Sequence, residues 1–317
     1  MTSVLCTGAA GFIGSHFVDY LLKNTDWNIH VWDCLNYSSR EAWRLRKIGA
    51  FERTNFRFAN VDLADLKALP MNFDYIVHLA AETHVDRSIA EPQPFIQSNI
   101  LGTFKLLEYA RKMSGLKKLL YFSTDEVYGP AGDETFTEES RHNPTNPYSA
   151  SKSAGEYLAL AWANTYKLPI VVSHCSNVFG EMQHEEKYIP KLVQAIAGGQ
   201  RVGIHVNEVG ESGKRQYVYA GDVANAIRLL LEHGESGKKY NIPGKEVSNE
   251  EMASMVAEAL GQDLVATKES PYSSRPGWDF NYRISGNELR RLGWEPTENF
   301  RALLRKVVES YDPRTNR

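Results

Sequence analysis

Two groups of residues have the types and spacing for chemistry. The first is Tyr148 and Lys152, in Pro147-Tyr148-Ser149-Ala150-Ser151-Lys152. A separation of four puts both side chains on one face of a helix, which Pro147 helps to start. An ammonium near a phenol favours the phenolate and draws its pKa, about 10 when free, toward working pH. Such a tyrosine can exchange a proton with a substrate hydroxyl while an acceptor takes hydride from the carbon. The second group is Thr124-Asp125-Glu126, after the apolar run Leu119-Leu120-Tyr121-Phe122. Successive residues of a strand point to opposite faces. Both carboxyls therefore reach one substrate only if the chain is already turning at Asp125, and Gly129-Pro130 fits such a turn. Two carboxyls in one confined site push their pKa values apart, leaving one acid and one base. That pairing suits the elimination of water.

A third pattern supplies the partner for a hydride. Thr7-Gly8-Ala9-Ala10-Gly11-Phe12-Ile13-Gly14 lies between a short apolar run and a helical one. Glycines at this spacing allow a tight turn, a close approach of backbone to a pyrophosphate, and close packing of helix on strand. The amides of the helix N-terminus then face the phosphates. Asp33 ends the next strand, about 20 residues further on, where a carboxylate bonds a ribose 2′-hydroxyl and repels a 2′-phosphate. NAD is thereby favoured over NADP. Asp62, after Asn60-Val61, is placed either to contact the adenine end or to cap a helix over 63–69.

These groups must be positioned by something, and the hydrophobic periodicity shows what. Strand-like runs occur at 4–7, 29–33, 56–58, 75–79, 119–122 and 170–173, separated by helical patterns at 12–24, 93–113 and 148–166. Alternation of this kind implies a parallel sheet covered on both faces, a doubly wound α/β domain. After Cys175 the pattern breaks up. A polar loop over 176–186 precedes a helix at 187–198 and a strand at 216–220. Asp222 is placed to cap a helix over 223–232, and Ser248 with Glu251 forms a capping box for 249–260. A loop spans 270–282, a short helix starts at Ser285 or Asn287, and a last helix covers 299–310. The expected architecture is a Rossmann-type sheet domain, 1–176 with 220–242, and a smaller C-terminal substrate-binding domain, 177–219 with 243–317.

Composition narrows the class further. The chain has 317 residues, 42% hydrophobic and 24% charged, with a formal net charge of −3. Lysines and arginines are scattered and form no dense basic patch of the kind nucleic acid requires. The three cysteines, Cys6, Cys34 and Cys175, are odd in number and widely spaced, which argues against a disulfide framework or a metal site. The first residues read as strand and turn rather than as a signal peptide, and no apolar stretch reaches the roughly 18 residues of a membrane span. A cytoplasmic protein is expected.

Together, Thr7–Gly14, Asn99 in Asn99-Ile100-Leu101-Gly102-Thr103, Ser123-Thr124, and Tyr148 with Lys152 resemble the extended short-chain dehydrogenase/reductase family over nearly the whole chain. The resemblance implies about seven strands, NAD in an open cleft, and a homodimer through a four-helix bundle built from the helices at 93–113 and 148–166. It implies a cofactor set of Gly8, Gly11, Phe12, Ile13, Gly14, Asp33, Asn36, Asp62, Leu63, Leu79, Ala80, Ala81, Thr83, Asn99, Tyr148 and Lys152. Thr124-Asp125-Glu126 resembles the nucleotide-diphosphate-glucose 4,6-dehydratases. In that reading Thr124 and Tyr148 share the 4-hydroxyl of the sugar, and oxidation at C4 acidifies the C5 proton. Glu126 then removes that proton, Asp125 protonates the departing 6-hydroxyl, and hydride returns to C6.

His78-Leu79-Ala80-Ala81-Glu82-Thr83-His84 is similar to the same group, with His84 near the sugar. Asn177, Glu186, Lys187, Arg215, Arg275 and Tyr282 are the remaining residues implied for substrate. Guanidinium suits a diphosphate because its fork bonds phosphate oxygens in pairs. Gly180-Glu181-Met182-Gln183-His184-Glu185-Glu186-Lys187 departs from the family pattern by losing two prolines and gaining acids, and Trp278 stands where histidine is frequent. The segment between Gly129 and Pro147 is shorter than in many bacterial dTDP-glucose enzymes, and Pro144-Thr145-Asn146-Pro147 resembles the UDP-glucose enzymes more; both bases stay open. Two alternatives accompany the dehydratase reading. One is a nucleotide-sugar epimerase or decarboxylase on the same scaffold, in which Asp125 would be idle. The other is an NAD-bound sensor without catalysis.

Overall fold

The computed structural model of the protein describes residues 1–67, 71–270 and 280–314. The first half alternates strand and helix: β1 (Ser3–Thr7), α1 (Phe12–Asn24), β2 (Asn28–Asp33), α2 (Trp43–Lys47), β3 (Phe56–Asn60), β4 (Tyr75–His78), α3 (Val85–Ala90), α4 (Gln93–Phe95), α5 (Thr103–Ala110), β5 (Lys118–Thr124), α6 (Pro147–Tyr166) and β6 (Ile170–Cys175). Then follow β7 (Asn177–Phe179), α7 (Tyr188–Ala197), β8 (Val202–His205), β9 (Lys214–Tyr219), α8 (Ala220–His233), β10 (Lys239–Ile242), β11 (Lys245–Ser248), α9 (Asn249–Leu260), β12 (Ala266–Glu269), α10 (Asn287–Arg291) and α11 (Phe300–Tyr311).

Seven strands form one sheet in the order β10-β6-β5-β4-β1-β2-β3. All pair in parallel. β1, β4, β5 and β6 are buried almost throughout, which fits their continuous apolar runs. On one side Phe17, Val18 and Leu21 of α1 share a core with Ile227, Leu230 and Leu231 of α8. On the other, Leu106 and Leu107 of α5 pack with Ala159 of α6. A separate core joins α7, α9 and α11 to β8 and β9. The last part carries two small sheets, β11-β9-β7 and β12-β8. Strand order reverses between β1 and β4, so the loops leaving these strands diverge and open a crevice at their C-terminal ends.

Local rules placed most boundaries. Asn146 and Ser149 form a reciprocal cap at the start of α6, and Ser248 with Glu251 does so at α9. Three expectations change. Asp222 lies in the first turn of α8 rather than capping it, because its carboxylate accepts from the Thr297 amide and hydroxyl, 3.1 and 2.6 Å away. The helix over 93–113 is interrupted by π-helical backbone over Ile96–Gly102. There the Asn99 carbonyl accepts from Thr103 Oγ1 (2.7 Å), and its side-chain amide bonds Glu82 and Ser151. After Asp62 only a single 3₁₀ turn forms, Leu63–Asp65.

Candidate functional site

A cavity of about 520 Å³ opens where the strand order reverses. Its floor is the glycine turn. Gly8 has φ +69°, and a Cβ there would collide with Ala80 Cα. A Cβ on Gly14 would meet Ala9 Cα, so strand, turn and helix approach as only glycine allows. Phe12, Ile13 and Gly14 line the cavity, and no side chain caps the N-terminus of α1. Its first-turn amides therefore form an anion cradle. Asp33 is buried at the rim. One carboxylate oxygen accepts from the Ala10 amide (3.0 Å), the other from the Leu35 amide and Ser39 Oγ (both 2.9 Å). Burial pushes its pKa up, against these bonds. A carboxylate has about four acceptor positions, so three internal bonds leave one for a ribose hydroxyl. Asn36, Asp62, Leu63, Leu79, Ala80, Ala81 and Thr83 also line this cavity.

Asn99 does not line it. Its amide nitrogen donates to Glu82 O (3.0 Å) and Ser151 Oγ (2.8 Å), and its oxygen accepts from the Glu82 amide (2.9 Å). It holds the wall from behind. Asp62 both lines the cavity and caps its own 3₁₀ turn through the Ala64 amide, 2.9 Å away.

Thr124, Asp125, Glu126, Tyr148 and Lys152, the side chains the sequence singles out for chemistry, line the same cavity. The chain does turn at Asp125. β5 stops at Thr124 and a 3₁₀ turn covers Asp125–Tyr128, closed by Gly129 at φ +80°. The Thr124 hydroxyl lies near the Tyr148 phenol and favours its ionised form. Asp125 is 3% exposed, and its Oδ2 has no hydrogen-bond partner. Burial and the neighbouring Glu126 push its pKa up to about 8, with Arg215 pulling the other way. The carboxyl therefore holds a proton at neutral pH, the state an acid needs. Tyr148 runs against expectation. Burial and the two acids push its phenol up rather than down. The reason is geometric: Lys152 Nζ donates to Phe122 O (2.7 Å) and sits 4.6 Å from the Tyr121 ring centre, so it is turned toward β5.

A second cavity, about 490 Å³, adjoins the first. Glu126, Thr83, Asn177, Glu186 and Lys187 line both, so the two chambers meet at the acidic motif. His84, Arg215 and Tyr282 lie in the second. The Arg215 guanidinium stacks on Tyr282, 4.6 Å from its ring centre, and donates to Phe280 O (2.6 Å). Arg201 and Lys191 add charge to the same chamber. Arg275 and Trp278 lie outside the described residues.

Several residues at the site carry no local signal in the sequence. Tyr37 Oη donates to Glu186 (3.0 Å) across the mouth of the first cavity, and Arg87 stacks on Tyr37 at 3.8 Å. Arg44 Nε donates to Met182 O (2.7 Å), fastening the 181–187 loop to the segment after β2. Leu35 and Met182, in these two segments, have φ of 55° and 63°, a strain that persists only when the surroundings enforce it. Behind the acidic motif, His142, Glu156 and His174 have their side-chain nitrogen and oxygen atoms within 4.8 Å of one another, and they hydrogen-bond among themselves.

The family described as GDP-mannose 4,6 dehydratase matches residues 5–307. The chain belongs to this dehydratase family. The likeness to the extended short-chain dehydrogenases is thus a relationship. Low-salt glycan biosynthesis protein Agl12 of Haloferax volcanii is 38% identical over 314 residues, 97% of this chain and 98% of that one. A dTDP-glucose 4,6-dehydratase of Escherichia coli is 38% identical over 346 residues, 99% of this chain and 93% of that one. The solved dTDP-glucose 4,6-dehydratase DesIV of Streptomyces venezuelae, with NAD bound, has a TM-score of 0.90 at 35% identity and covers 98% of this chain and 97% of that chain. Among the described residues of this family member, no helix is long and apolar enough to cross a membrane. All three cysteines are free.

Proposed function

We propose that the chain is an NAD-dependent 4,6-dehydratase of a nucleotide-diphosphate glucose, with dTDP or UDP as the nucleotide. The observation that carries this is Asp125. A buried carboxyl that keeps its proton to about pH 8, with one oxygen unpartnered, has no structural duty that an asparagine or leucine would not meet better. An acid at that place fits protonation of a leaving hydroxyl. Glu126 stands beside it and faces both chambers, which suits removal of the C5 proton.

The cofactor chamber fits NAD: an uncapped helix N-terminus for the pyrophosphate, and Asp33 with one acceptor position for a ribose hydroxyl. NAD supplies the hydride acceptor for C4 and the donor for C6. Tyr148, once ionised to the phenolate, takes the proton of the 4-hydroxyl, and Thr124 holds that hydroxyl in place. Glu126 removes the proton at C5 once C4 is a ketone. Asp125 donates to the departing 6-hydroxyl. Arg215, with Lys187 and Asn177, grips the diphosphate in the second chamber, whose base-binding end is lined by the later part of the chain. The division of labour proposed is 1–176 with 220–242 for the cofactor and 177–219 with 243–317 for the sugar nucleotide. Ile96, Tyr157 and Tyr166 are exposed apolar residues along 93–166, which supports a homodimer packed there; light scattering of the purified protein tests this.

The test is a mass-spectrometric screen of dTDP-, UDP-, CDP- and GDP-glucose with added NAD. A product lighter by one water, without net NADH, is expected from the dTDP or UDP sugar. Products that keep the 6-hydroxyl, from every sugar turned over, would replace dehydration by epimerisation at C4.

A further inference from the structure

Helix α6 carries a third member of its reactive stripe. Tyr148, Lys152 and Glu156 follow at intervals of four, on one face. Glu156 is wholly buried. Its carboxylate accepts from Ser123 Oγ (2.9 Å) on β5 and from His174 Nε2 (2.9 Å) on β6. His142 Nε2, from the segment before α6, lies 3.3 Å away. Burial pushes this carboxyl up, and His174 and His142 more than reverse it, so the group stays ionised. His174 Nδ1 continues to Tyr128 Oη (3.0 Å), in the 3₁₀ turn that carries Asp125 and Glu126. The network thus touches the acidic motif on both sides, at Ser123 and at Tyr128.

Lys152 needs such a partner. It is 4% exposed, and its Nζ meets the Phe122 carbonyl and the face of Tyr121. His78 on β4 also feels its charge, and Tyr148 on α6 lines the same cavity. Burial brings its pKa down to about 8, and Glu156 is the group that pulls it back up.

We propose that Glu156 is a positioning residue for the reaction: its bond to Ser123 sets the end of the strand that presents Thr124 and Asp125, and its buried negative charge, four residues along the same helix face, keeps Lys152 an ammonium against that strand. His142 and His174 serve by keeping Glu156 charged. This rests on the dehydratase reading only for its kinetic half.

The test begins without substrate. The 13Cε resonance of Lys152, assigned by its loss in Lys152→Met, is titrated in the wild type and in Glu156→Gln. The midpoint should fall by about one pH unit or more in the variant, the size of effect a single buried charge exerts. Glu156→Asp, which retains the charge, should restore most of it. If Glu156→Gln does not fold, Glu156→Gln combined with His174→Asn removes the charge together with its main partner, a change that buried pairs tolerate better. The second measurement is the transient NADH absorbance after mixing with the sugar nucleotide. Its rate should lose its alkaline limb at lower pH in Glu156→Gln, whereas Ser123→Ala should slow it without moving the limb. An unchanged Lys152 midpoint, with a rate merely scaled down at every pH, would reduce Glu156 to packing and overturn the proposal. A wild type that turns over no sugar nucleotide would overturn the dehydratase reading instead, and the titration would still decide the role of Glu156.

Discussion

At the scale of single residues, the site is a set of groups whose protonation is fixed by burial. Asp125 is the clearest. Its folded pKa, about 8, lies above the unfolded value, so the native state binds this proton more tightly. The stability it contributes is complete below about pH 4 and is lost as pH rises through about 8. Asp125→Asn carries no charge to bury. Its stability advantage over the wild type should therefore be absent below about pH 4, grow by about 1.4 kcal/mol per pH unit, and reach on the order of 5 kcal/mol by pH 9, with a higher melting temperature to match. Thermal melts at the two pH values check this. The same variant should still give a transient NADH signal but lose dehydration by about 10²-fold or more, as expected when a general acid is removed. In the wild type, dehydration should fall off above about pH 8, where Asp125 surrenders its proton. Lys152→Ala should weaken NAD binding and slow C4 oxidation together; wild-type turnover would remove Lys152 from the mechanism.

At the scale of elements, what the sequence showed and what it hid divide along the range of the interactions. The glycine turn and the cap at Ser248 with Glu251 depend on neighbours within one turn and could be read directly, whereas the spacing of Tyr148 and Lys152 placed both on one helix face but did not show that Lys152 turns toward β5. The turn at Asp125 followed from a local conflict, since two adjacent carboxyls on a strand cannot face one site. Asp222 misled because Thr297, far along the chain, takes its carboxylate. The π turn at Asn99 was equally hidden, because its amide serves Glu82 and Ser151 on other segments. That turn packs on α6 at Gly155, where a Cβ would press on Tyr121 Oη and the Asn99 carbonyl. Gly155→Ala should thus cost about 1–3 kcal/mol by overpacking, read as a lower melting temperature. It should also impair NAD-dependent turnover, because the wall held by Asn99 moves with it.

At the scale of the molecule, two chambers share a boundary made of Thr83, Glu126, Asn177, Glu186 and Lys187. The first chamber is spanned by contacts that join segments distant in sequence, Tyr37 to Glu186 and Arg44 to Met182. No periodicity or spacing announces such pairs. Under the dehydratase proposal, these contacts would hold a cofactor between the loop after β2 and the 181–187 loop, which suits a hydride carrier restored within each turnover. Tyr37→Phe removes one of these hydrogen bonds without altering the reactive groups. It should speed NAD release several-fold and leave the protonation of Asp125 unchanged, measured by cofactor retention on gel filtration and by the pH profile.

In a 4,6-dehydratase, hydride taken from C4 returns to C6 of the same sugar as water leaves. It is tested most directly by turnover of dTDP- or UDP-glucose carrying deuterium at C4, with unlabelled NAD in excess. The expected product has lost one water and carries the deuterium on C6. A product that retains its 6-hydroxyl, with the deuterium still at C4, would contradict it.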